Sequence, residues 1–207
     1  MTSPVPGPTQ RHALEQVVAA SEMNIGAAAN YLSDRGISLE MANKYRLGVH
    51  LGHHQGYEQY RGRLTIPYLT QAGVVSVRFR SIDGSTPKYL STQGDQGRLY
   101  NVNALFEQSD TLVITEGEFD ALIVNECASV PAVGVPGASL WRPVFDRLVR
   151  DYPTLLVVGD GDEAGERFAE ELAGRIGGTP IVLPDGEDVN SYYVKNDSMA
   201  LIEVLGV

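Results

Sequence analysis

From Asp110 onward, short apolar runs alternate with amphipathic stretches. TLVIT leads into EFDALIVNE, SVPAVGVPG into WRPVFDRLVRDY, TLLVVGD into EAGERFAEELAGRIG, and PIVLP into a last helical stretch. Strand-length runs separated by helical segments make βαβ units, so this half is expected to be an α/β domain with a mostly parallel, four-stranded sheet. Upstream the period changes. Residues 11–48 read as helical, with Gly36 and Gly48 as helix stops. Residues 62–80 alternate with period two: Leu64, Ile66 and Tyr68 against Arg63, Thr65 and Pro67, then Val75, Val77 and Phe79 against Ser76, Arg78 and Arg80.

A hairpin turning at Gln71, Ala72 and Gly73 would pair Leu64 with Phe79, Ile66 with Val77 and Tyr68 with Val75. The same register sets Arg63 opposite Arg80. Like charges facing each other destabilise a strand pair, and an anion between them removes the objection. With Arg61 and Arg78, the polar face then offers four guanidiniums suited to bidentate phosphate contact, and Lys88 extends the patch after the Asp83-Gly84 turn. The plain structural alternative is a solvated strand face with long cationic side chains.

The charge distribution sharpens the division between the halves. The 207-residue chain carries a net charge of -10, but residues 1–110 hold 10 basic and 9 acidic side chains, a balance of +1, whereas 111–207 hold 6 and 17, a balance of -11. A nearly neutral half with clustered arginines and an acidic half with clustered carboxylates fit one half holding phosphates and the other holding metals. The single cysteine, Cys127, excludes a disulfide framework or a zinc ribbon within the chain and suits a reducing cytoplasm. No apolar run approaches the ~20 residues of a membrane span, and MTSPVPGPTQ reads as a tail rather than a leader. The expected organisation is a disordered tail over 1–10, a smaller α+β subdomain with a basic hairpin over 11–109, and the α/β domain over 110–207.

Two acidic signatures end apolar runs in that last domain: TEGEFDAL, with Glu116 and Asp120, and VVGDGDEAG, with Asp160 and Asp162. Strands ending in carboxylates deliver them to one rim of the sheet, where open α/β folds place their chemistry. Two such charges ~4 Å apart repel by about 4 kcal/mol at an intermediate dielectric. A hard divalent cation relieves that repulsion, since Mg²⁺ takes oxygen ligands and keeps sites for phosphates. The residues thus point to metal-dependent phosphoryl transfer.

Other readings of these motifs fail. Asp160, Asp162, Gly165 and Glu171 fall at calcium-loop spacing, but Ala164 occupies a ligand position and a strand precedes Asp160. Gly159-x-Gly161-x-x-x-Gly165 loosely matches a dinucleotide loop, yet its two aspartates would repel a pyrophosphate. Asp120, Asp162 and Glu163 also suit helix amino termini without any ligand. His53 and His54 read as loop residues, and Cys127 as a small buried hydrophobe.

The pair EGEFDAL and GDGDEAG, 44 residues apart from Glu116 to Asp160, resembles the Toprim domain shared by bacterial-type primases, topoisomerases and some nucleases. Upstream, YLSDRGIS, YRLG, YRGRLTIPYLTQAG, VRFRS, TPKYLST and RLYNVNAL resemble successive segments of the catalytic core of bacterial- and phage-type primases, which separates that family from the other Toprim enzymes. The resemblance covers about Asn30 to Tyr193. It implies a Rossmann-like Toprim fold after a smaller α+β subdomain, with Mg²⁺ or Mn²⁺ on Glu116, Asp160 and Asp162, further acids at Asp120 and Asp188, and contacts to nucleoside triphosphate or template from Arg63, Arg78, Arg80 and Lys88. Glu116 is open to two roles, metal ligand or proton relay.

Departures accompany the likeness. Asp188-Val189-Asn190 stands where the family often has Asp-Pro-Asp, so a neutral amide replaces one outer acid. STQGDQG lacks a lysine that often precedes the RLY segment. Neither an amino-terminal zinc module nor a carboxy-terminal helicase-docking domain is found in the chain, which reads as a minimal core of the kind a phage encodes. The expected activity is template-directed synthesis of short primers from nucleoside triphosphates on single-stranded DNA in the cytoplasm, with a replicative helicase and a separate zinc-binding primase subunit as further partners. A Toprim nuclease and a catalytically weak nucleic-acid-binding replication subunit are the rival readings.

Overall fold

The computed structural model describes residues 6–92, 94–95, 97–137 and 140–207, which belong to two compact units, Ser3–Gln96 and Gly97–Val207.

The first unit begins with α1 (Pro8–Glu22), α2 (Ala29–Ser33) and α3 (Leu39–Lys44), followed by β1 (Gly48–Val49), β2 (Leu64–Thr70), β3 (Gly73–Arg80) and β4 (Tyr89–Ser91). The strands form one antiparallel sheet in that order. Leu14, Val17 and Val18 of α1 share a core with Val74, Val77 and Phe79 of β3, and Tyr60 lies flat on Phe79 at 3.9 Å between ring centres.

Two expectations change here. The tail stops short of residue 10, because α1 starts at Pro8. Proline at the first helical position forfeits only an N–H that has no helical partner. Residues 1–5 lie outside the described residues. Gly36 does end a helical turn, in the left-handed region (φ 72°), but Gly48 is the first residue of β1 rather than a helix stop. A Cβ at Gly48 would lie 2.2 Å from the Ser21 carbonyl carbon, so glycine there admits α1 against the strand. The left-handed position after α3 falls to Arg46 (φ 58°), pinned by Glu15 at 2.6 Å and Glu22 at 2.9 Å.

The hairpin register also differs. Thr70 faces Gly73 and Leu69 faces Val74, as a turn at Gln71 and Ala72 requires, but a bulge between Tyr68 and Leu69 then shifts every lower pair by one. Leu64 faces Arg80, Thr65 faces Phe79, Ile66 faces Arg78 and Pro67 faces Val77. One extra residue on one strand moves each lower side chain on it to the other face. Both faces of β2 are buried, so the apolar-with-apolar rule that fixes register on a half-exposed hairpin does not operate.

The second unit contains β5 (Thr111–Thr115), α4 (Glu118–Ile123), β6 (Ala132–Gly134), α5 (Pro143–Val149), β7 (Thr154–Gly159), α6 (Glu163–Ile176), β8 (Thr179–Val182), α7 (Val189–Asn196) and α8 (Ser198–Leu205). Its four strands are all parallel, in the order β6-β5-β7-β8. Leu112, Ile114, Leu155 and Val157 pack with Phe145 and Val149 of α5 and Phe168 and Leu172 of α6. Burial of both sheet faces explains why TLVIT and TLLVV are continuous apolar runs rather than alternating ones. The segment 97–109 belongs to this unit, not to the subdomain before it: Leu99 joins its core, and Tyr100 exchanges backbone hydrogen bonds with Gly134 at 2.8 and 3.2 Å. No helix among the described residues is long and apolar enough to cross a membrane.

Candidate active site

Strand order places the acids. The chain leaves β5 for β6 on one side and then crosses to β7 on the other, so β5 and β7 flank the switch point at which open α/β sheets bind ligands. Thr115 is level with Val158, which brings Glu116 and Asp160 to adjacent strand ends. The Asp160 N–H donates to Glu116 Oε1 at 3.3 Å. Burial pushes the Glu116 carboxyl above its ordinary pKa, the Asp160 N–H opposes that rise, and the negative charge of Asp162 adds to it. The structure therefore joins Glu116, Asp160 and Asp162 in one electrostatic neighbourhood.

The turn that carries them is made of backbone laid on backbone. A Cβ at Gly161 would meet the Pro184 carbonyl oxygen at 2.0 Å, and one at Gly165 the Asp160 carbonyl oxygen at 2.3 Å. The spacing that loosely resembled a dinucleotide loop is thus needed to seat α6 against the end of β7. Asp162 caps α6, its Oδ1 accepting the Gly165 N–H at 2.8 Å, which orients the carboxylate while its charge acts on Glu116.

Asp120 lies in the first turn of α4, buried, with Oδ2 against the Cα of Gly117, where an added Cβ would come within 2.3 Å of it. It is folded back on the turn that follows Glu116. Asp188 caps α7 in a reciprocal capping box with Ser191, accepting the Ser191 N–H at 2.7 Å. Gly161 N–H donates to the Glu187 carbonyl at 2.7 Å, so the segment before Asp188 docks on the Asp160–Asp162 turn. Among the described residues, no three acidic, histidine or cysteine side chains form a group able to hold a metal ion as they stand. A groove of about 630 Å³ runs along α6 past Trp141, Phe168 and Arg175, and none of the expected site residues lines it.

In the first unit the cations divide. Arg78, Arg80 and Lys88 gather around the ring of Tyr89, their charged groups 4.1, 5.1 and 5.9 Å from its centre. The side chain of Arg80 is buried, and its Nε–H donates to Tyr31 Oη at 2.5 Å while Nη1–H donates to Tyr89 Oη. Arg63 is separate from that row. It is buried, donating from Nη1 to the Pro87 carbonyl at 2.8 Å and from Nη2 to Ser85 Oγ at 3.5 Å. Since Arg80 faces Leu64, the expected Arg63 and Arg80 pairing does not form. Arg61 is exposed after a short 3-10 turn. Tyr31 and Tyr89 stand in the segments YLSDRGIS and TPKYLST, where the pattern of charges gives neither a role. The Lys88-Tyr89 neighbourhood was the available signal for Tyr89, whereas nothing local to Tyr31 announces a partner 49 residues away.

No family model matches the chain. It is 41% identical over 150 residues to the Gene 57 protein of Mycobacterium phage D29, covering 70% of this chain and 98% of that protein. It is 25% identical over 212 residues to the DNA primase of Pseudomonas putida and 28% over 144 to that of Thermotoga maritima, and spans only 32% and 25% of their lengths. Among solved structures, the RNA polymerase domain of Mycobacterium tuberculosis primase superposes with a TM-score of 0.79 at 20% identity, covering 97% of this chain and 84% of that one. A primase catalytic domain bound to single-stranded DNA gives 0.73 at 22% identity, covering 97% and 82%. The mixed α/β fold, a parallel sheet and an antiparallel one, is the fold of those catalytic cores.

Proposed function

We propose that this chain, which belongs to the family of bacterial- and phage-type DNA primase catalytic cores, makes short primers by joining nucleoside triphosphates on a single-stranded DNA template. The observation that carries the reading is the meeting of Glu116 and Asp160 on adjacent strand ends at the switch point of a Toprim-like sheet, with Asp162 at the end of the turn that follows, capping α6. Similarity to DNA primases, and to a primase catalytic domain solved with single-stranded DNA, supports the substrate assignment.

The donors at this rim suit a hard divalent cation. They are carboxylate oxygens, and Glu116 already feels both desolvation and the charge of Asp162, a strain that a cation relieves. Mg²⁺ commonly uses one or two protein carboxylates plus substrate phosphates and water, so a preformed group of three is not required. Glu116, Asp160 and Asp162 would hold Mg²⁺ or Mn²⁺, with Asp120 and Asp188 as outer acids. Bound there, the metal would activate the attacking hydroxyl and offset charge on the departing pyrophosphate.

The chain's own residues do the rest. The Asp160 N–H and the α6 cap orient Glu116 and Asp162, so the rim is arranged before substrate arrives. Arg78, Arg80 and Lys88 bind phosphates of triphosphate or template, and Arg61 adds an exposed cation. Arg63 holds the loop that carries Lys88 through its bond to Pro87. A helicase and a zinc-bearing subunit are proposed as partners. The Aquifex aeolicus primase structure contains both zinc-binding and RNA polymerase domains, and this chain covers 59% of it.

Incubating the protein with labelled nucleoside triphosphates and unprimed single-stranded DNA, with and without a zinc-bearing primase subunit, tests the assignment. Primer products from the wild type that vanish in Glu116→Gln support it. Degradation without extension points to a nuclease, and retention of DNA with neither activity points to a binding subunit.

A further inference from the structure

The groove along α6 belongs to neither charged cluster. Ala164, Phe168, Leu172 and Arg175 recur at helical spacing on one side of α6 and line it, and Trp141 lines it from the segment before α5. Phe168 and Leu172 are buried in the core of the second unit, whereas Trp141 packs on that core only in part. From Ala164 to Arg175 the groove follows α6 for about 16 Å, or three helical turns.

The indole is fixed before anything binds. Trp141 Nε1–H donates to Asp146 Oδ1 at 2.7 Å, Asp146 is gripped by Arg175 through bonds of 2.9 and 2.8 Å, and Phe145 meets the indole edge-on with ring centres 5.6 Å apart. The ring's only donor is thereby satisfied within the protein, so the indole adds carbon and π electrons to the groove. An aromatic anchor already held in one orientation loses little freedom when a partner covers it.

Charge selects the occupant. Both cations of the lining are compensated by carboxylates, Arg175 by Asp146 and Arg167 by Glu163, each at 2.8 Å. Glu171, which also lines the groove, makes no ion pair among the described residues. Glu166 and Glu170 are exposed elsewhere on the same helix. A π ring and an uncompensated carboxylate both attract a cation. A nucleic-acid strand, or a second copy of this chain with its net charge of -10, meets repulsion instead.

We propose that the groove docks a basic amphipathic helix of a partner protein, about three turns long, which lays apolar side chains against Trp141 and sets Lys or Arg against Glu171. The surface is separate from the acidic rim, and the proposal does not depend on primer synthesis.

The full chain is titrated with a labelled peptide of about 16 residues, Leu and Lys patterned as an amphipathic helix. The same peptide with Glu for Lys, and a single-stranded oligonucleotide, are titrated alongside. Anisotropy of the label gives affinity, and Trp141, the only tryptophan in the chain, reports by its emission whether the groove is covered. The Lys peptide should bind saturably with a blue shift of that emission. Glu171→Lys should weaken it about tenfold, since repulsion replaces attraction at the contact. Glu203→Lys, the same charge change at an exposed position on α8, should alter it by less than about twofold, as expected for a screened distant charge. Both variants should melt with the wild type. Equal losses in the two variants reduce the binding to general attraction by an acidic protein and overturn the groove. Binding that leaves Trp141 emission unmoved, or no binding, overturns it as well. An equal or larger blue shift with the Glu peptide or the oligonucleotide assigns the groove to another occupant and also overturns the proposal. Because every readout is binding at Trp141, loss of the primer-synthesis assignment would leave the docking groove standing.

Discussion

The acidic rim and the cationic row are both charged clusters, but they are assembled by different means. Glu116 and Asp160 follow directly on β5 and β7, and Asp162 lies two residues on, so parallel pairing alone delivers them to one edge. The row draws Tyr31 and Arg35 from a helical segment, Arg78 and Arg80 from β3 and Tyr89 from β4, and depends on a bulge that sets which face each strand residue occupies. A rim fixed by backbone topology tolerates isosteric changes of its side chains. A row fixed by side-chain contacts does not.

Glu116→Gln gives the largest expected effect on this contrast. Primer synthesis should fall by at least about a hundredfold, the scale of removing one organising charge from an active site. The fold should persist. Because the folded state raises the Glu116 pKa, its contribution to stability is present at low pH and lost as pH rises through the raised value. The metal-free variant should therefore melt at or above the wild-type temperature at pH 7, and a marked drop would show that the rim is a structural element.

Next comes Asp160→Asn with Asp162→Asn. Saturating Mg²⁺ at a hundred times its dissociation constant should stabilise the wild type by about 2.7 kcal/mol. The double variant should lose that response while keeping α6, since asparagine also caps a helix. A retained metal shift in thermal melts would place the cation elsewhere.

Arg63→Ala separates the buried arginine from the row. Losing its bond to Pro87 should lower stability by about 1–3 kcal/mol in chemical denaturation. The salt dependence of DNA binding should stay unchanged, in contrast to Arg78→Ala. A changed slope with unaltered stability would return Arg63 to the phosphate site.

Asp188→Ala is expected to have a smaller effect. Loss of the α7 cap should cost about 1 kcal/mol, and primer synthesis should fall far less than in Glu116→Gln. Acid titration gives the mildest test. Burial holds the His50 pKa below its ordinary value, so the unfolded chain takes up a proton near pH 6.5 while the folded chain resists. Stability of the first unit should decline as pH falls from 7 towards 5, and His50→Gln should flatten that decline.

Length of apolar runs, their alternation with helical stretches and the positions of three acids are local properties, so the parallel sheet and its acidic rim were legible in the linear sequence. A strand buried on both faces announces itself as a continuous apolar run, and its next residue must lie at the sheet edge. The hairpin was legible as an element but not in its register. Pairing apolar with apolar residues assumes one solvated face, and here α1 buries one side while Arg80 on the other is sequestered by Tyr31 and Tyr89. The bulge beside Leu69 therefore had no signature in the alternation it disrupts. The left-handed turn at Arg46 was likewise hidden, since it is stabilised by glutamates 24 and 31 residues earlier rather than by a glycine. Sequence determined what short-range periodicity and strand ends dictate. Only the tertiary structure decided which cations share a face, because that choice is made by side chains distant along the chain.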